Sequence, residues 1–151
     1  MRHTSVLVTI LALLLLSSCS DTKLDRPAAP APPPQIEVAM KEFRYSQSAR
    51  AIPAGRVVFR LDNEGKQPHQ PDLLILPDDL PPILEQLRGS VRRTIPSLVN
   101  NPGQSPGIDS AITVDLEAGR RYAFVCHAKT PQGEDHSRLG MAWEFRAGAA
   151  P

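Results

Sequence analysis

The sequence has no excess of charge of one sign, no apolar run long enough to cross a bilayer, no internal repeat and only two cysteines. Seventeen Lys and Arg stand against 16 Asp and Glu over 151 residues, and no basic block occurs. Nucleic-acid binding therefore has no electrostatic footprint. The longest apolar run, Val6 to Leu16, is interrupted only by Thr9. Its eleven residues fall well short of the roughly 20 that a spanning helix requires. Two cysteines exclude a disulfide framework of several bridges. The chain also contains no phosphate-binding glycine loop, no G-x-S-x-G and no His-Glu-x-x-His, so no enzyme signature stands out.

What is present divides the chain into three parts. Residues 1–18 read as a signal peptide: Arg2 and His3 give a polar start, Val6 to Leu16 is the apolar region, and Ser17-Ser18 precede Cys19. The string Leu16-Ser17-Ser18-Cys19 resembles the lipobox of bacterial lipoproteins. The resemblance implies cleavage before Cys19, lipidation of its sulfur, and a membrane-anchored, extracytoplasmic protein at the periplasm or cell surface. Removing Arg2 leaves 16 cations against 16 anions. Residues 19–35 read as the lipidated cysteine and a Pro/Ala-rich tether, because clustered prolines favour extended chain and cannot form a core. Residues 36–151 suffice for one small core.

Within that domain the patterning is mostly that of short strands. Ile36 to Met40 alternates, and Phe43-Arg44-Tyr45 continues the same edge. Ile52-Pro53-Ala54-Gly55 reads as a turn, Val57 to Leu61 as a strand, Asp62 to Gly65 as its terminating turn, and Leu73 to Leu76 as a buried strand. Pro81 and Pro82 can occupy the first turn of a short helix in which Ile83, Leu84 and Leu87 share a face and Gly89 ends it. Residues 90–109 read as a long loop. Ala111 to Leu116, Arg121 to Cys126 and Met141 to Phe145 are further strands. In the second of these, Tyr122, Phe124 and Cys126 face one way, and Ala123, Val125 and His127 the other. The expectation is an all-β antiparallel sandwich or barrel of about seven strands with one inserted helix.

Four side chains invite chemistry: His69, Cys126, His136 and Met141. With Cys19 lipidated, Cys126 is left alone in an oxidising compartment, where it is inert in a core, paired between chains, or a metal ligand. Two imidazoles and a thiolate with a weak axial thioether form the blue-copper ligand set. Soft sulfur suits Cu(I) and imidazole suits Cu(II), so the mixed set serves both oxidation states. A single domain cysteine excludes a dithiol centre or a two-cysteine dinuclear copper. The remaining His127 follows Cys126 directly and should point to the opposite sheet face, towards solvent or a partner. Gln70 is placed to offer an amide hydrogen bond near the thiolate.

Several segments resemble the cupredoxin family over most of residues 36–148. They are Leu61-Asp62-Asn63-Glu64-Gly65 with Pro68-His69, Leu116 to Gly119 with Tyr122 to Cys126, His136-x4-Met141, and Trp143-Glu144-Phe145. The resemblance implies a Greek-key β-sandwich holding one type 1 copper through His69, Cys126, His136 and Met141. It implies single-electron transfer to a redox partner protein by brief docking, outside the cytoplasm. Nine residues separate Cys126 from His136, a longer spacing than small blue copper proteins usually have. In this it resembles the type 1 site of copper nitrite reductases and a group of bacterial single-domain cupredoxin-like proteins. Two other functions fit the same residues: a copper carrier or buffer for metalloenzyme assembly, and a metal-free interaction module on the same scaffold.

Overall fold

The structure is a computed structural model and describes residues 30–89 and 93–148. The signal peptide, Cys19 and the first part of the tether lie outside the described residues. No helix among the described residues is long and apolar enough to cross a membrane.

Two sheets face each other. The first runs in the order β2 (Arg44–Gln47), β1 (Gln35–Lys41), β4 (Gly55–Asn63), β7 (Asp109–Leu116). The second runs β3 (Ile52–Pro53), β9 (Ala142–Gly148), β8 (Arg121–Cys126), β5 (Pro71–Leu76), β6 (Ser97–Val99). The alternation read in the sequence sets the inward faces: Ile36, Val38 and Met40 from β1 and Val57, Phe59 and Leu61 from β4 are all buried between the sheets. Phe59, Phe124, Trp143 and Phe145 pack at ring separations of 4.8–6.5 Å and fill the centre.

Strand β8 is buried along its whole length because it is covered on both sides. Tyr122, Phe124 and Cys126 enter the inter-sheet core, whereas Ala123 and Val125 lie under α1 (Ile83–Arg88) with Leu74, Leu76, Leu80, Ile83 and Leu87. The face division expected for this strand therefore holds. Helix α1 buries Ile83, Gln86 and Leu87, and Leu84 is only partly covered, because a six-residue helix offers a narrow face at i, i+3 and i+4.

The helix is tied down electrostatically. Arg121 donates to Glu144 Oε1 at 2.7 and 2.9 Å and to the carbonyls of Pro77, Asp78 and Leu80. The other oxygen of Glu144 accepts the Ile83 N–H at 2.9 Å, serving a donor that the helix start leaves unpaired.

Five expectations are corrected. There are nine strands among the described residues rather than about seven, the extra ones being short. The sandwich is mixed: β1 pairs with β4 in parallel, and β3 with β9 in parallel. Parallel neighbours need a crossover, and the chain makes one by leaving the first sheet after β2, touching the second as β3, and returning as β4 beside β1. Ile52 to Gly55 is accordingly no simple turn. Ile52 is buried opposite Ala147, the Ala54 N–H donates to Gly148, and Gly55 at φ +87° turns the chain back. Finally, the 90–109 segment contains β6 and reaches β7 at Asp109, and Gln104 bridges to the backbone of His69. Phe43 lies in the turn after β1, and from Arg44 the chain folds back as a separate strand, β2, antiparallel on β1.

Candidate metal centre

The centre forms at one end of the sandwich, where β5 and β8 lie side by side. Pro71 opposes Cys126 in that ladder, so His69, two residues ahead of β5, is carried to the end of β8. The His127 N–H donates to the Gln70 carbonyl at 2.9 Å and extends the pairing past the strand ends. Reciprocal hydrogen bonds between His69 and Gln104, at 3.0 and 2.7 Å, hold the histidine's own backbone. Asn63, fully buried at the end of β4, organises the loop in between. Its amide donates to the carbonyls of Gln67 and Gln104 at 2.9 and 2.8 Å, and its oxygen accepts the Gly65 N–H.

His136 reaches the same point from the other direction. The loop after Cys126 pinches off a small hairpin: Lys129 bridges to Asp135, and the His136 N–H donates to Ala128 at 3.0 Å. Met141 closes the segment. Its N–H donates to the His136 carbonyl, and its own carbonyl accepts the Cys126 N–H.

The result is a triangle of ligand atoms. His69 Nδ1 and His136 Nδ1 are 3.2 Å apart, and Cys126 Sγ lies 3.8 and 3.7 Å from them. All three residues are completely buried, and Met141 is buried in the same cluster as Cys126. Imidazole and thiolate bind transition metals at about 2.0 and 2.3 Å, and those lengths are compatible with a triangle of this size. The donor set and its dimensions therefore fit one transition-metal ion.

Burial and neighbours set the protonation of the group. Both imidazoles are held below the ordinary histidine range by desolvation; for His69 the neighbouring His136 adds to this, and Glu42 opposes it at both. Desolvation pushes the Cys126 thiol up, Asp72 adds to that, and the backbone N–H groups of Gln70 and Ala128 act the other way. The Gln70 N–H lies 3.4 Å from the sulfur, so the contact expected from Gln70 is supplied by its backbone. Neutral imidazoles and a sulfur met by N–H donors are the states a metal needs once the thiol is deprotonated.

His127 sits as expected on the opposite face, exposed and 3.7 Å from Asp72, away from the ligand atoms. Sequence reasoning missed two supporting residues. Asn63 read as part of a turn, and Glu42 was not singled out. Glu42 Oε1 accepts the N–H groups of Lys66 and Gln67 and lies 3.9 Å from His69 Nε2. Burial pushes Glu42 up, but these donors and its own backbone N–H outweigh that and hold its carboxyl below the usual range.

No family model matches the chain, and no curated protein matches it. Solved structures do. Auracyanin B aligns with a TM-score of 0.54 at 17% identity, covering 82% of this chain and 93% of its own. Sodium-dithionite-reduced auracyanin from the photosynthetic bacterium Roseiflexus castenholzii aligns with a TM-score of 0.52 at 20% identity, covering 81% of this chain and all of its own. At such identities the likeness is one of architecture, and the chain has the cupredoxin fold.

Proposed function

We propose that the protein binds one copper ion as a type 1 centre and carries single electrons at the bacterial cell envelope. The observation that carries this reading is the buried triangle of two Nδ1 atoms and one Sγ, with sides of 3.2, 3.7 and 3.8 Å. His69, Cys126, His136 and Met141 would hold the ion, through two imidazoles, a thiolate and a thioether. Copper held there supplies a one-electron couple whose two states accept the same ligands. The chain's part is to keep those ligands still and dry. Reciprocal backbone bonds fix His69, the Ala128 contact fixes His136, and the sheet fixes Cys126. A preset geometry lowers the rearrangement that accompanies each transfer.

The same features favour a carrier of electrons over a catalyst or a copper donor. Catalytic metal sites keep a position open for substrate, and here the ligand residues are fully buried. Burial also opposes the ligand exchange that a copper donor needs. Cleavage before Cys19, lipidation of its sulfur and a tether over residues 19–35 would hold the domain at the membrane, within reach of a redox partner protein that docks briefly.

The test is to load the protein with Cu(II) and record visible and EPR spectra. An intense thiolate-to-copper band that disappears in Cys126→Ser is the expected outcome. A colourless protein with no tight copper would sink the proposal and leave a metal-free interaction module.

A further inference from the structure

His69 presents Nδ1 to the ligand triangle, and its other nitrogen, Nε2, is buried with no hydrogen-bond partner. Glu42 Oε1 lies 3.9 Å from that nitrogen, within ion-pair range and about 1 Å beyond a hydrogen bond. The carboxylate is not there by accident of a mobile side chain. The N–H groups of Lys66 and Gln67 both donate to the same oxygen, the latter at 2.8 Å. The gap between acid and imidazole is also kept clear. A Cβ on Gly65 would fall 2.7 Å from Glu42 Oε1 and 2.8 Å from His69 Nε2, so any side chain at 65 would stand between them.

The two histidines pose a proton-placement problem. Their Nδ1 atoms are 3.2 Å apart, so in the metal-free protein one must donate to the other. His136 Nε2 is likewise buried without a partner, and its ring meets the Phe43 ring edge-on at 4.8 Å, with no carboxylate contact of this kind. Glu42 acts on both imidazoles, yet it lies in ion-pair range of His69 Nε2, and this nearer approach breaks the symmetry. It draws the N–H of His69 to Nε2 and leaves the donating role at Nδ1 to His136.

We infer that Glu42 is a positioning residue: its carboxylate charge, 3.9 Å from His69 Nε2, favours the Nε2–H tautomer and so keeps the Nδ1 lone pair of His69 turned to the ligand triangle. The inference deepens the copper reading and rests on it for its metal arm, whereas the tautomer it assigns needs no metal. Carboxylate partners of metal-binding histidines fix ring and tautomer in this way, and losing one typically costs 10–100-fold in metal affinity.

The test begins on the metal-free wild-type protein at about pH 8, above the ordinary imidazole range. Long-range ¹H–¹⁵N NMR reads each tautomer. The expected result is Nε2–H for His69 and Nδ1–H for His136; the reverse assignment would overturn the inference. In Glu42→Ala the His69 tautomer should become mixed and Cu(II) affinity, measured by competition, should fall about 10–100-fold. Glu42→Gln keeps an oxygen for Lys66 and Gln67 and should restore the tautomer while regaining only part of the Cu(II) affinity. Full affinity in both variants would also overturn the inference. Should the alanine variant fail to fold, the wild-type tautomers and the glutamine variant decide. A wild-type protein with the expected tautomers but no copper would remove the copper reading alone. A blue protein with the reverse tautomers would remove the role of Glu42 alone.

Discussion

The backbone N–H of His136 donates to the carbonyl of Ala128 at 3.0 Å, which brings the second histidine within two residues of Cys126 in space despite the long loop. Residues between them project as a hairpin closed by Lys129 and Asp135, with Gly133 at its turn. The extra length is thus taken up outside the ligand triangle.

This arrangement makes the hairpin separable from the site. Gly133 has φ +87°, and a Cβ there would meet nothing within 4 Å. Gly133→Ala should therefore cost only the left-handed backbone penalty, about 1–2 kcal/mol. Urea unfolding should show that loss while the copper band stays in place. A displaced band would mean that the hairpin does steer His136.

Met141 offers a cleaner test of the fourth ligand. The side chain is fully buried, and Met-to-Leu exchange in a core usually costs under about 1.5 kcal/mol. An axial electron-pair donor stabilises the more highly charged oxidised ion more than the reduced one. Met141→Leu should accordingly keep the thiolate band and raise the reduction potential in voltammetry. An unchanged potential would show that Met141 is core and nothing more.

The metal-free protein should be most stable in a window near neutrality. Desolvation holds His69 and His136 below the ordinary range, so the folded state takes up their protons later than the unfolded chain does. Below about pH 6.5 the unfolded chain binds more protons, and stability falls as pH drops towards the folded values. Cys126 is displaced upwards, chiefly by desolvation, so the sign reverses. Above about pH 8.5 the unfolded thiol ionises first, and stability falls as pH rises. Each group contributes at most about 1.4 kcal/mol per pH unit. Urea midpoints across pH should trace both arms, and Cys126→Ala should abolish the part of the alkaline arm that begins near pH 8.5, leaving the loss above about pH 10 that buried Tyr45 contributes.

Much of this was legible along the chain because the relevant signals are local. Period-2 alternation marked β1, β4 and β7, and the two faces of β8 followed from parity, including the inward Cys126 and outward His127. The candidate ligands stood out because those residue types are scarce. The missed elements depend on non-local pairing. Ile52 and Pro53 form a strand only because Ala147 and Gly148 lie alongside. Ser97 to Val99 do so only against Leu73 and Leu74. The parallel β1–β4 pair follows from a crossing between sheets that no local pattern encodes. Glu42 lies in a turn between two strands, and only the approach of Gly65 and the loop before His69 gives it a role.

Glu144 links that strand framework to the helix, and its loss should be felt in stability rather than colour. Arg121 is 9% exposed and relies on Glu144 for its countercharge. Removing one partner of a buried pair costs about 3–5 kcal/mol. Because the Glu144 side chain is 28% exposed, water can reach the pair, and the lower end of that range is expected. Glu144→Ala also strips the acceptor from the Ile83 N–H at the start of α1. Denaturant unfolding should therefore show a loss of about 3 kcal/mol, together with faster amide exchange in α1. The Arg121→Met, Glu144→Leu double variant should recover much of that loss, since no charge is then left unpaired. A single variant as stable as wild type would mean that the carbonyls of Pro77, Asp78 and Leu80 alone satisfy Arg121. The helix would then be held by its apolar face.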